Sequence, residues 1–431
     1  MTIELQKGGT ASGEAKPGGS RTEILKASAR LFRDRGYAAS TLRDIAEATG
    51  IKAGSIYYHF ESKDQILDQI LDQGLRDIYD GVRSVIERSE DSMDYRTRIG
   101  SAIHAHLTLL LAHSEFTATY IRVYSQLPEE VRDRQQPLRR AYAKLWQTLL
   151  RDAQNAGQVR GDVKIIPLQQ FLVGALNWTV MWFDVKRHSV NVLADRCTKL
   201  FLDGIASEGS IGETKDLISV EVRRIGSGSR ITKSDRTRQE ILRAAARLFR
   251  VRGYAASTLR NIADAADMKA GSIYYHFDSK SELLNEILEQ GLREIHDGVR
   301  KALSSERGTV DPRTKIAAAV HAHLTLLLTS SEFTATGIRV FSQLPDQVRD
   351  RQRPMRRAYA KLWETILQEA QEAGQLRGDI KIVPLRQFLL GALNWTVEWF
   401  DRERFSVDSL AVLCTKLILD GIYVKSSKDP S

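Results

Sequence analysis

Along most of the chain apolar residues return every three or four positions, the spacing of a helix that buries one face. In RTEILKASARLFRDRG, Ile24, Leu25, Ser28, Leu31 and Phe32 share a face, and Gly36 follows as a C-terminal stop. TLRDIAEATG opens on Thr41, a good N-cap, and turns Leu42, Ile45 and Ala46 inward. A tight turn leads to a short helix within KAGSIYYHF. The chain then restarts at Ser62 in SKDQILDQIL, with Gln65 placed to complete a capping box. Longer periodic segments follow, through AIHAHLTLLLA, EFTATYIRVYSQL, LRRAYAKLWQTLLRDAQ, LQQFLVGALNWTVMWF and VLADRCTKLFLDGI. Prolines at 128, 137 and 167 are expected near helix starts or breaks. No segment reads as a convincing strand, so the expected fold class is all-α.

The pattern occurs twice. GSIYYHFESK at 54–63 returns as GSIYYHFDSK at 271–280. The same displacement of 217 positions relates Tyr57 to Tyr274, Trp146 to Trp363, Trp178 to Trp395 and Cys197 to Cys414. Ser279 and Glu282 repeat the capping device of Ser62 and Gln65. A register kept from about residue 21 to about residue 205 is far longer than a solenoid unit, so a whole domain has been duplicated. The expected organisation is a tail over 1–20, a helical head over 21–80 and a helical body over 81–206. A Gly-, Ser- and charge-rich linker over 207–234 leads to a second head over 235–297 and a second body over 298–425.

With 431 residues, 42% of them hydrophobic, the chain can fill two or more cores. Its net charge of +9 is a weak pointer to a polyanionic partner. Two cysteines, Cys197 and Cys414, make neither a disulfide framework nor a zinc cluster, and a reducing compartment fits them. FLVGALNWTVMWF is too short to cross a bilayer and contains Asn177, and the first residues lack the apolar core of a signal peptide. The expected location is cytoplasmic.

Two short helices joined by a tight turn, the second short and exposed, form the helix-turn-helix shape. Its second helix fits the DNA major groove. Ala53, Gly54 and Ser55 are small and allow close approach, while Tyr57, Tyr58 and His59 offer flat faces and polar tips. Ile56 and Phe60, four apart, point back into the head, and Lys63 is placed for a phosphate contact. A purely structural reading does not explain why the two tyrosines and the histidine recur together.

The arrangement T-L-x-x-I-A-x-x-x-x-x-K-A-G-S-I-Y-Y-H-F-x-S-K resembles the N-terminal domain of the tetracycline-repressor family of bacterial regulators, over residues 21–80 and again over 238–297. The segment LVGALNWTVMWF and the helix after it are loosely similar to the branch whose ligands include acyl-CoA thioesters and lipid or steroid metabolites. The resemblance implies three-helix DNA-binding heads, bodies with ligand pockets and a dimer formed by the last two helices of each body. It implies no enzyme, cofactor or metal. Its DNA contacts fall on Thr41, Lys52, Ala53, Gly54, Ser55, Tyr57, Tyr58, His59 and Lys63, within a motif over 41–60. The second motif, over 258–277, supplies Thr258, Lys269, Ala270, Gly271, Ser272, Tyr274, Tyr275 and His276, with Lys280 just beyond it. Pocket candidates are His104, Tyr120, Tyr124 and Trp178 in the first half and His321, Phe341 and Trp395 in the second.

The halves also differ. The turn residue Gly50 becomes Asp267, at a turn that often needs a left-handed residue, a conformation Asp tolerates better than most, and Asp44 becomes Asn261. In the bodies, His113 becomes Ser330, Tyr120 becomes Gly337, Tyr124 becomes Phe341 and Met181 becomes Glu398. If these line pockets, the two halves need not bind the same ligand; drift at tolerant sites is the alternative. Other clusters have plain readings beside functional ones. His104 and His106 are two apart and share no helix face, so ordinary positions compete with a metal site. Phe171, Trp178 and Trp182 pack a bundle or stack a ligand. Arg139, Arg140 and Lys144 lie on a solvated face or rim a pocket for a phosphate or CoA group.

Both heads lie on one chain. A linker of about 28 residues has a reach of about 30 Å, and tethering gives an effective concentration on the order of millimolar. The expected assembly is an intramolecular pseudo-dimer on a near-palindromic DNA operator, released by a small, largely apolar effector. A repressor is expected, with an activator of the same fold as the alternative. A helical enzyme or ligand-storage protein is the rival from another class, and no nucleophile–base pair or phosphate loop supports it.

Overall fold

The computed structural model describes residues 21–37, 39–88, 94–124, 127, 129–204, 233–304, 311–330, 332–341, 344 and 346–420. The expected tail over 1–20 and nearly all of the expected linker over 207–234 lie outside the described residues. The first half comprises α1 (Arg21–Arg35), α2 (Leu42–Thr49), α3 (Ala53–Ile56), α4 (Lys63–Glu87), α5 (Tyr95–Thr108), α6 (Glu115–Val123), α7 (Glu129–Asn155), α8 (Ile165–Trp178) and α9 (Val190–Asp203). The second repeats the order: α10 (Lys233–Arg252), α11 (Leu259–Ala265), α12 (Ala270–His276), α13 (Lys280–Ser304), α14 (Pro312–Thr325), α15 (Glu332–Val340), α16 (Asp346–Glu372), α17 (Ile382–Trp395) and α18 (Val407–Asp420). No strand occurs among the described residues. The fold is all-α and tandem, as the periodicity predicts.

Local chemistry sets the helix ends. Thr41 Oγ1 accepts from the Asp44 backbone N–H at 3.1 Å, and the Asp44 carboxylate accepts from the Thr41 N–H at 2.7 Å. Asn261 performs the same exchange with Thr258, so losing the charge of Asp44 costs no cap. At α4, Ser62 Oγ takes the Gln65 N–H as expected, but the Gln65 amide oxygen reaches the N–H of Glu61, one residue further out than a standard box. Gly50 ends α2 at φ 69°, and Asp267 takes the matching left-handed turn at φ 55°. Asp adopts this region more readily than most residues, so the second turn is made without glycine.

One proline expectation fails. Pro137 and Pro354 sit inside the long helices α7 and α16 and break neither. Each removes one intrahelical bond, at about 3 kcal/mol. Burial on both sides offsets that loss: Gln135 and Tyr142 flank Pro137, and the indole of Trp146 is wholly enclosed further along. Pro167 lies in the first turn of α8, where no intrahelical donor is needed.

Each head packs Phe32, Ile45, Ile56 and Phe60, or Phe249, Ile262, Ile273 and Phe277, into a small core closed by the start of α4 or α13. The bodies meet through α8 and α17, with α9 beside α18. The crossing is close because each helix offers a glycine to the other half's tryptophan. A Cβ on Gly174 would stand 2.4 Å from Trp395 Cδ1, and one on Gly391 would stand 2.7 Å from Trp178 Cδ1. Reciprocal ion pairs ring this contact: Lys199 to Asp379 at 2.6 Å, Lys416 to Asp162 at 3.1 Å, and longer pairs from Arg160 to Asp420 and Arg377 to Asp203. The two halves therefore form an intramolecular pseudo-dimer.

Gly174→Ala or Gly391→Ala should destabilise the chain by about 1–3 kcal/mol, because a methyl there overpacks an indole. Thermal unfolding should show a lowered midpoint for either variant, and an unchanged midpoint would contradict the packing. Arg377 and Lys199 hold the Asp379 carboxyl below its ordinary range, and Arg160 and Lys416 lower that of Asp162. Their stabilisation is present at neutral pH and fades as pH falls through and below about 4, where unfolded carboxylates titrate. Asp379→Asn with Asp162→Asn should flatten the acid limb of a pH–melting curve.

Candidate nucleic-acid interface and ligand cavity

The two heads present matching surfaces. Lys52, Ala53, Gly54 and Ser55 are exposed at the start of α3, and Lys269, Ala270, Gly271 and Ser272 at the start of α12. A Cβ at Gly54 or Gly271 would meet only open space, so the backbone here can be approached closely. Tyr57 and Tyr58 are 61% and 87% exposed, and Tyr274 and Tyr275 are 60% and 84% exposed. Exposing four large aromatic rings in matched pairs costs hydrophobic stabilisation and marks a binding surface. His59 and His276 stand edge-on to the second tyrosine of each pair, at 5.2 and 5.1 Å between ring centroids.

Arg21 and Arg238, which sequence reasoning did not single out, hold the far end of these segments. Each donates to the backbone oxygen of His59 or His276 and lies over the ring of Phe60 or Phe277. Their only sequence signal is a basic residue before each head's first apolar stripe.

Lys63 and Lys280, expected at phosphates, are already engaged inside the heads. Lys63 Nζ donates to Tyr37 O at 3.0 Å and Ser40 O at 2.8 Å, and lies over the Tyr37 ring. Lys280 does the same with Tyr254 and Ser257. Desolvation lowers the pKa of both. Their charge ties down the loop between the first two helices of each head. Thr41 and Thr258 likewise commit their hydroxyls to capping.

In the second body a cavity of about 270 Å³ opens among α13, α15, α16 and α17, closed by Trp178, Met181 and Trp182 of the first half. Leu292, Phe333, Gly337, Ile338 and Phe341 form much of its apolar wall. Polar groups converge at one side: His323, Gln352, Arg356, Tyr359 and Asn394. His323 Nδ1 shares a hydrogen bond with Tyr359 Oη at 2.7 Å. Burial pushes its pKa down to about 3, with the Asn394 amide pulling slightly the other way, so the ring is neutral. His323 Nε2 and Asn394 Oδ1 have no partner at hydrogen-bonding geometry.

The expected pocket residues divide. Trp178 and Phe341 line this cavity. His104 and His321 do not; they pair with Asp195 and Asp408, each at 2.8 Å, and the histidines two positions on, His106 and His323, face inward instead. A two-residue step turns a helical side chain by about 200°, so the two histidines of each pair face different sides. Tyr120 is packed in the core at 4% exposure and fills space. Tyr124 and Trp395 border a small gap of about 40 Å³ between the halves. Arg139 turns inward beside Tyr124, while Arg140 and Lys144 stay exposed.

Helix α15 joins cavity to head. Thr334 Oγ1 donates to Gly291 O of α13 at 3.0 Å, and Thr336 Oγ1 donates to Ala246 O of α10 at 3.2 Å. Thr117 and Thr119 repeat these bonds in the first half. A Cβ on Gly291 would clash with the Phe333 backbone, so the two helices touch without side chains between them.

The model of the bacterial regulatory proteins of the tetR family matches residues 24–70 and 241–287, and that of the tetracyclin repressor-like C-terminal domain matches 92–205 and 309–422. The transcriptional repressor KstR2 of Rhodococcus jostii is 30% identical over 191 residues, covering 44% of this chain and 92% of that protein. KstR2 of Mycobacterium tuberculosis is 29% identical over 170 residues, covering 38% of this chain and 80% of that protein. The solved structure of the ketosteroid regulator KstR2 of M. tuberculosis is 22% identical and covers 42% of this chain and 94% of its own, with a TM-score of 0.38. A single relative thus matches about half of this chain. The chain belongs to the tetR family of bacterial transcriptional regulators, as a tandem duplication. Among the described residues no helix is long and apolar enough to cross a membrane.

Lys63→Gln should lower the melting midpoint, since two carbonyls lose a charged donor worth about 1–3 kcal/mol. The salt dependence of DNA binding should not change. A reduced salt slope with unaltered melting would restore the phosphate assignment.

Proposed function

We propose that this tandem tetR-family protein is a cytoplasmic, ligand-released repressor whose two heads read the two half-sites of one near-palindromic operator. The observation that carries the reading is the pair of matched, exposed recognition faces on one polypeptide. Family members bind operator DNA and small ligands, and the relatives above are named as repressors. On this reading Tyr57, Tyr58 and Ser55, with Tyr274, Tyr275 and Ser272, meet bases and phosphates. Lys52 and Lys269 meet phosphates alone, and the glycines let the backbone approach. Equal faces favour equal half-sites.

Release follows from α15. A ligand in the cavity presses on Phe333 and Gly337, which lie on the helix whose Thr336 is bonded to α10, and on Phe341 just beyond its end. Shifting α15 therefore moves the second head relative to the first. The shift cannot exceed the ligand's differential affinity for the two arrangements.

A gel-shift on the gene's own upstream DNA tests the DNA-binding assignment. Tyr57→Ala with Tyr274→Ala should weaken retention by about 1–3 kcal/mol per head, with melting unchanged because both rings are exposed. Undiminished retention by the double variant would remove these residues from the interface. Lys52→Gln with Lys269→Gln should reduce the salt slope by about one unit per head.

A further inference from the structure

Three body differences between the halves, Tyr120 to Gly337, Tyr124 to Phe341 and Met181 to Glu398, gather around one pair of equivalent arginines. Arg139 lies 3.7 Å over the Tyr124 ring, with the buried Tyr120 and with Glu398 of the other half close enough to raise its pKa against the opposing cost of burial. Arg356, its counterpart, meets Phe341 where Arg139 meets the Tyr124 ring, and it shares its cavity with Gly337 and Met181 at the positions equivalent to Tyr120 and Glu398. Its guanidinium lies 3.6 Å over the Phe341 ring. Among the described residues it pairs with no carboxylate. Arg386, the cavity's other cation, is ion-paired with Glu364 at 3.2 Å. Burial and the neighbouring Arg349 lower the Arg356 pKa to about 10, so it stays charged at neutral pH.

The same exchanges, with two neighbouring positions, decide which half has room at this site. Gly337 lines the cavity, whereas Tyr120 fills the matching position. Leu75 is 2% exposed and Val173 8%, while their counterparts Leu292 and Leu390 are only partly buried and line the cavity. A largely desolvated, unpaired cation beside an apolar space is costly unless an anion joins it.

We propose that each chain takes one effector, in the second body only, that this effector is a largely apolar carboxylate whose charge pairs with Arg356, and that the first body's equivalent site is closed by its own tyrosines and by Glu398. This rests on the ligand-controlled reading above and deepens it: one asymmetric event per chain would act on a symmetric pair of heads.

Decanoate is a suitable probe, with 1-decanol as its neutral counterpart and decanoyl-CoA as the thioester form. Trp178 and Trp182 line the cavity, so tryptophan fluorescence of the full-length chain reports occupancy. Decanoate should saturate at one molecule per chain and bind at least about tenfold tighter than decanol. Arg356→Met should remove that preference, Arg356→Lys should keep part of it, and decanol binding should survive in both. Gly337→Tyr, which copies the native Tyr120, should abolish binding while melting stays intact. Tyr120→Gly with Tyr124→Phe and Glu398→Met should raise the stoichiometry towards two. Two sites in the unaltered chain, no saturable binding, equal affinity for decanol, tighter binding of decanoyl-CoA, or an indifferent Arg356→Met would each overturn the proposal. None of these readings involves DNA, so a failed gel-shift would remove the regulatory reading without touching them.

Discussion

The contact on which the assembly turns is the seating of each half's tryptophan against the other half's glycine. Trp395 on Gly174 and Trp178 on Gly391 let α8 and α17 cross closely, and the indoles then occupy the volume that two side chains would need. Everything functional hangs from this crossing. It fixes the spacing of the two heads. It also delivers Trp178, Met181 and Trp182 as a wall of the cavity in the opposite half. Duplication in one chain makes the crossing intramolecular, so its formation does not depend on protein concentration. The ring of lysine and arginine pairs with Asp162, Asp203, Asp379 and Asp420 adds register to an apolar contact that by itself specifies little direction.

Between that crossing and the DNA-reading faces stands one short helix per half. α6 and α15 each carry a threonine bonded to the first helix of a head and another bonded to the long helix below it. Each also carries an arginine, Arg122 or Arg339, that donates to Val180 O or Val397 O in the turn after the crossing helix. One element therefore touches the head, the body and the turn that follows the interface helix, and in the second half it also forms the cavity wall. A bistable shift of that element is the simplest physical link from cavity to spacing.

Much of this was legible in the sequence. The helix starts at Thr41 and Ser62, the apolar anchors Ile56 and Phe60, the duplicated register and the left-handed turn at Asp267 follow from local rules, and the structure bears them out. Asn261 could replace Asp44 because a cap needs an acceptor and not a charge. What was not legible needed three dimensions. Lys63 looks like a free cation until the carbonyls of Tyr37 and Ser40 are seen beneath it. His104 and His106 differ only in which side of α5 they occupy, and apolar spacing around AIHAHL does not say which side faces the body. Pro137 reads as a breaker because sequence rules weigh one lost bond and not the flanking burial. The difference between Tyr120 and Gly337 was visible, but not that one fills a space the other leaves open.

The central claim is that one chain, with its two bodies locked together, supplies both heads of a DNA-reading pair. The mass of the complex formed on an inverted-repeat operator, measured by light scattering after size exclusion, tests it most directly. One chain of 48.5 kDa per operator duplex, with both half-sites protected, is the predicted result. Two chains per duplex, each holding a single half-site, would contradict it.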